Sequence, residues 1–227
     1  MTFIPTLDTD SRQRPRIPRT LDPVEVRVLG SLMEKQLSTP EYYPLTLNAL
    51  LAAANQKSNR DPVMELSESD VERALNRLQD ERLVWRVMGG RAVRFDHNLD
   101  NVWHIKKGEK ALLTLLFLRG PQTAGELRGR SDRLQSFDTV AEVEELLRDM
   151  AAHSESLVVQ LPRRPGQKEE RWAHTVGGAI VESAAPESQP GETRVSGEPM
   201  SARVQRLEEQ VAALTEELQA LKNALGV

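Results

Sequence analysis

A change of hydrophobic period inside one stretch, residues 67–95, constrains this chain more than any other feature. Ser67 followed three residues later by Asp70 is a capping-box start, and Val71, Leu75, Leu78 and Leu83 then recur at helical spacing. After Leu83 the period switches to two. Val84, Arg86, Met88, Ala92 and Arg94 are expected on one face of a hairpin and Trp85, Val87, Val93 and Phe95 on the other, with Gly89-Gly90 as the turn. A capped helix running directly into a two-stranded hairpin reads as the third helix and wing of a winged helix.

The preceding residues supply the other helices. Asp22-Pro23-Val24-Glu25 sets a capping box with Pro at the first helical position, and Leu21 is placed to staple onto Val26. Val28, Leu29, Leu32 and Met33 form the apolar stripe of that helix, which stops before Ser38-Thr39-Pro40. A second helix is expected from Leu45 to about Asn55. The loop after it, Asn55-Gln56-Lys57-Ser58-Asn59-Arg60-Asp61-Pro62, collects polar donors in an unusual density. Lys57, Asn59 and Arg60 are candidates to hold an anion or a partner. The same residue types also cap helix ends and fix loops, and that structural role is the preferred one.

Beyond residue 96 the element order repeats. Residues 96–103 read as a connector, and a helix follows over about 106–118, stopped by Gly120-Pro121. Thr123 and Glu126 form another capping box, and a further helix starts at Asp138 or Thr139 with Val140, Val143, Leu146, Leu147 and Met150 on one face. Alternating runs over 157–161 and 171–176 close the unit. Val71-Glu72-Arg73-Ala74-Leu75 is echoed by Val143-Glu144-Glu145-Leu146-Leu147 ahead of its own hairpin. The expected fold is therefore mainly α with small β-hairpins: a flexible arm over 1–20, tandem winged helices over 21–98 and 99–181, a flexible linker over 182–200 and a coiled-coil helix over 201–226. In that last segment Val204, Leu207, Val211, Leu214, Leu218, Leu221 and Leu225 step by three and four, a heptad seam. Valine at two a positions with leucine at d favours a two-stranded parallel homodimer, although the flanking charges pair in either orientation. Self-association through this seam is preferred over docking onto the body of the same chain.

Residues 21–95 carry Glu34-Lys35-Gln36, Thr39-Pro40-Glu41, Tyr43-Pro44-Leu45, Asn55-Gln56-Lys57, Asn59-Arg60, Asp61-Pro62-Val63-Met64 and Leu66-Ser67-Glu68. Leu118-Arg119-Gly120 and Gly125-Glu126-Leu127-Arg128 come later. In these strings the chain resembles the YceH-like family of uncharacterised bacterial proteins. The resemblance covers nearly the whole chain and implies a tandem winged-helix fold; it implies no catalytic or binding residue.

Composition narrows the function classes. The chain has no cysteine, which excludes thiol catalysis, disulfides and cysteine-based zinc sites. Its four histidines lie in separate segments, and no phosphate-cradling glycine loop or Gly-x-Ser-x-Gly turn occurs. No enzyme activity, metal or cofactor is expected. Neither a signal pattern nor an apolar run of membrane-spanning length is present, so a cytoplasmic protein without a membrane partner is expected.

Binding is the remaining class, with double-stranded DNA or a partner protein as ligand. In the first unit, Arg73, Asn76 and Arg77 are expected on the outer face of the third helix, where Arg and Asn suit guanine and adenine edges. Arg86, Arg91 and Arg94 on the hairpin are expected to meet phosphates. Charge argues the other way: the net charge is −4, and residues 68–82 carry five acids against three arginines. The corresponding stretch of the second unit, residues 138–149, holds five acids and a single arginine, so there a partner protein is expected instead. The alternative for the whole chain is a scaffold in which both units dock proteins. The arm contributes Arg12, Arg14, Arg16 and Arg19, which fit either a minor-groove arm or, preferably, a solvated tail.

Overall fold

Each helix of the computed structural model, which describes residues 15–88, 92–163 and 169–178, begins or packs for a reason visible in its own residues. Helix α1 (Pro23–Ser38) starts at Asp22, whose carboxylate accepts from the Glu25 N–H while Glu25 returns the bond to the Asp22 N–H. A short 3-10 turn (Pro40–Tyr42) leads to strand β1 (Leu45–Thr46) and helix α2 (Leu47–Ala54), capped by the Thr46 hydroxyl. Helix α3 (Glu68–Asp80) starts at the expected Ser67–Asp70 box and gives way to strands β2 (Val84–Val87) and β3 (Arg94–His97). Helix α4 (Leu99–Trp103) then leads to α5 (Lys107–Arg119), α6 (Ala124–Ser131), α7 (Val140–Ala151) and the hairpin β4 (Val158–Leu161) and β5 (Arg171–His174). The described residues thus hold seven α-helices and two small antiparallel sheets, a mixed α and β architecture.

The first sheet has the order β1-β3-β2, with Leu45 opposite Phe95 and Val84 opposite His97. The second pairs β4 with β5, and Gln122 bridges Trp172 at its edge just before α6, much as β1 edges the first sheet just before α2. The two halves therefore share one element order. Two expectations for the first sheet need correction. Residues 45 and 46 belong to the sheet rather than to the second helix. In the hairpin, Arg86 faces Phe95 and Val87 faces Arg94, so Phe95 shares a face with Val84 and Arg86, while Trp85 and Val87 share theirs with Arg94 and Asp96. Burial decides this. Phe95 and Val84 are both core residues, and a slip of one residue would turn Phe95 into solvent.

The core runs without interruption through both halves, from Val28, Leu29 and Leu32 of α1 to Leu112, Leu116 and Val143 of α5 and α7. α5 is its centre, with every residue from Lys110 to Leu118 buried. α1 reaches it through Gly30, where an added Cβ would lie 2.9 Å from the Leu118 side chain and 3.0 Å from Phe117. α5 ends at Gly120, whose φ of +69° is open to glycine at little cost. Residues 15–20, expected as part of a flexible arm, are docked instead. Ile17 packs on the core, the Trp103 indole N–H donates to the Arg16 carbonyl at 2.6 Å, and the Arg16 guanidinium donates to the Trp103 carbonyl. A buried indole needs an acceptor, and the chain N-terminal to α1 supplies it. Residues 1–14, 179–227 and the tips of both hairpins lie outside the described residues, and with them fall the expected linker and the heptad seam from Val204 to Leu225. Among the described residues no helix is long and apolar enough to cross a membrane.

Polar side chains also bridge the halves. The Gln36 carbonyl oxygen on α1 accepts from His97 Nε2 at 2.9 Å and from Lys110 Nζ at 2.6 Å, and Lys110 reaches Asp100 at 2.7 Å. Since the Leu99 N–H donates to His97 Nδ1, the imidazole is neutral with its proton on Nε2. Burial holds the pKa of His97 down at about 4, and it does the same to His174, which packs edge-on against Phe117. An unfolded histidine titrates near 6.5, so between about 6.5 and 4 the unfolded chain binds more protons than the folded one. Stability is accordingly complete above that window and falls as pH drops through it, by up to about 1.4 kcal/mol per pH unit for each histidine. Urea melts at pH 7.5 and pH 5 should therefore differ less for His174→Leu than for the native chain; an equal difference in both would contradict this assignment.

Candidate nucleic-acid interface

Helix α3 turns Val71, Ala74, Leu75 and Leu78 inward, which leaves Glu72, Arg73, Asn76 and Arg77 on its exposed face beside the hairpin. Arg73 is open to solvent and makes one loose pair, 3.5 Å from Asp70. The Ser67 hydroxyl and N–H hold the Asp70 carboxyl below its usual range, so this acid stays ionised at the helix start. Asn76 accepts from the Arg86 guanidinium at 3.1 Å, which ties β2 to the outer face of α3 and brings Arg73, Asn76 and Arg86 onto one surface.

Arg77 and Arg94 are engaged elsewhere. Arg77 pairs with Asp22 and lies 3.2 Å from Glu25 at the start of α1. Glu25 is fully buried, and Arg19 grips both of its oxygens at 2.6 and 2.8 Å while also reaching Glu81 at 3.3 Å. The bonds to Glu25 raise the Arg19 pKa above its usual value. The group forms an ion-paired joint among α1, α3 and residues 16–20, and Arg77 serves it. Arg94 donates to the Pro44 carbonyl at 2.7 Å, holding the approach to β1. Arg91 lies outside the described residues.

The loop of Lys57, Asn59 and Arg60 is likewise internal for the most part. Arg60 has a fully buried side chain that grips Glu34 at 2.6 and 3.1 Å, the Ala53 carbonyl at 2.8 Å and Gln56 at 3.0 Å. Asn59 adopts a left-handed φ of 58° and accepts from Arg119, the last residue of α5, while the Asp61 N–H donates to the Leu118 carbonyl. The Asn55 amide exchanges two bonds with the Leu66 backbone. Arg27 completes the clamp from α1, donating to the carbonyls of Ala54 and Pro62. Lys57 and Asn59 are exposed, and of the three candidates Lys57 alone makes no bond to the clamp among the described residues.

Several structural roles lay beyond sequence reasoning. Arg27 sits between Val26 and Val28 on the buried stripe of α1, a signal that its guanidinium had to find internal acceptors. Tyr43 donates to Asp96 at 2.6 Å and accepts from the His97 N–H, a link across 53 residues that no local pattern announces. In the second half, a cleft of about 510 Å³ opens between α6, α7 and the β4–β5 hairpin, lined by Val140, Glu144, Arg148, Gln160, Glu170 and Trp172.

The family described as "Protein of unknown function, DUF480" matches residues 21–167. A UPF0502 protein of Burkholderia ambifaria is 42% identical over 224 residues, covering 96% of this chain and 95% of its own. One of Geobacter metallireducens is 48% identical over 196 residues, covering 84% and 88%. Another, of Acidovorax sp., is 43% identical over 228 residues, covering 96% and 97%. On this match over most of its length, the chain belongs to the DUF480 family of bacterial proteins, whose relatives bear the name UPF0502.

Proposed function

We propose that this chain is a non-enzymatic binding protein built from two winged helices joined through α1 and α5, and that the first of them binds double-stranded DNA in a regulatory role. The shared element order of the two halves and the YceH-like resemblance support the architecture. The observation that carries the DNA reading is the Asn76–Arg86 bond, which sets the exposed face of α3 and the hairpin side by side, with Arg73 beside them. In that geometry α3 enters the major groove and the hairpin follows the backbone. The reading set is narrower than the sequence suggested: Arg73, Asn76, Arg86 and Arg91, with Arg77 and Arg94 supporting the fold.

For the second half a partner protein is the better ligand, because α7 and its surroundings carry Glu142, Glu144, Glu145 and Asp149 against Arg148, which itself pairs with Glu144 at 2.6 Å. Self-association through the heptad seam from Val204 to Leu225 completes the reading, as a homodimer in the cytoplasm.

Charge reversal tests the DNA surface. Arg73→Glu combined with Arg86→Glu should lower affinity for a duplex by about 10-fold or more in fluorescence anisotropy, on the scale of two lost contacts, with the thermal melt little changed. Unaltered affinity would clear this surface of the role.

A further inference from the structure

Strand β2 has β3 on one side and no strand on the other among the described residues. Its backbone orientation follows from the register. The Asn98 N–H donates to the Leu83 carbonyl at 2.9 Å, and Val84 lies opposite His97. Leu83, Trp85 and Val87 therefore direct their N–H and C=O groups at β3, and Val84 and Arg86 direct theirs at the open edge. The usual guards of such an edge are missing, since β2 contains neither proline nor lysine. Its single charge, Arg86, is drawn aside to Asn76 on α3. On the face away from α3, Trp85 is 54% exposed and Val87 36%. Apolar side chains grouped in this way on a soluble surface mark a contact site.

We propose that the occupant of this edge is β2 of a second copy of the chain, paired antiparallel about a two-fold axis at Trp85. The strand is suited to itself. Because only Val84 and Arg86 offer outward groups, a single register engages both of them in both copies, Val84 opposite Arg86. Setting Arg86 opposite Arg86 would use one residue of each copy and put like charges directly across from each other. The favoured register places Trp85 opposite the second copy's Trp85 in the pair type that lacks hydrogen bonds, where Cα atoms approach to roughly 4.5 Å and side chains come closest. The two indoles then cover one another and each Val87 flanks the second copy's Trp85 diagonally, while each Arg86 side chain keeps its bond to Asn76. This contact lies in the folded body, separate from the heptad seam, and uses the backbone edge of the hairpin whose Arg86 side chain serves the DNA reading.

The absence of cysteine makes the test direct. In the full chain, Trp85→Cys should form a disulfide-linked dimer under mild oxidation, since a Cα separation of about 4.5 Å accepts that bond. Lys57→Cys, exposed on a different loop, should remain largely uncross-linked. In the native chain, the Val84 and Arg86 amides should exchange with solvent on the order of tenfold more slowly as protein concentration rises, and Trp85→Lys should abolish that dependence. Equal cross-linking at 85 and 57, together with concentration-independent exchange at Val84 and Arg86, would overturn the proposal. Protection of those amides that appears only on adding duplex DNA or a different protein would overturn it as well.

Discussion

Replacing Arg60 with alanine is expected to destabilise the protein by about 3–5 kcal/mol, enough to unfold many domains of this size at physiological temperature. The guanidinium is fully buried and is the hub of the loop after α2, bonded to Glu34, Gln56 and the carbonyls of Ala53 and Asn59. Truncation leaves Glu34, only 14% exposed, with Lys35 at 3.6 Å as its remaining cation and strips the Ala53 carbonyl of its donors. The loss is greater than a surface ion pair could give, because such pairs contribute about 0–1 kcal/mol. Arg60→Lys should recover little, since an ammonium cannot reproduce the two parallel bonds to Glu34. Lys57→Ala, in contrast, should melt like the native chain. Chemical denaturation of the three variants checks the ordering, and an Arg60→Ala variant of native stability would remove the loop from its structural role.

Trp103→Ala should cost a similar amount, about 3–5 kcal/mol, for a different reason. The indole is wholly buried, stands edge-on to Phe117 at 6.0 Å between ring centres, and donates to the Arg16 carbonyl. Its removal opens a cavity where the two halves meet and releases the segment that carries Ile17 and Arg19. Trypsin should then cut after Arg16 and Arg19 faster than in the native protein, and cleavage at native rates would show that those residues are held by other means.

These two side chains mark where sequence reasoning reaches and where it stops. Helix starts are local: Asp22 with Glu25, Ser67 with Asp70 and Thr123 with Glu126 cap as their spacing predicts, and of the two starts open for α7 the cap is Thr139. Strand β1 escaped notice because two residues have no period; only Phe95 and Arg94, some 50 positions away, make them a strand. α4 is five residues long and shows no helical repeat for the same reason. Arg77 lies on the face of α3 that periodicity assigns to solvent, but its direction is set by Asp22 and Glu25 of another helix. Charge on a helix face is legible from spacing. Whether that charge is free for a ligand depends on what the rest of the chain brings beside it. Arg60 followed the structural reading of its loop, because the loop's own carbonyls and Glu34 were near enough to use it.

The proposed DNA contact is thereby reduced to a small set of cations on an acidic chain, which gives it a sharp signature. Binding of the full-length protein to random duplex DNA, measured from low to physiological salt, tests it most directly. With Arg86 and Arg91 each neutralising a phosphate, log K should fall against log salt with a slope of about −2 per copy. Absence of binding even at the lowest salt would contradict the DNA reading and leave protein docking as the function of both halves.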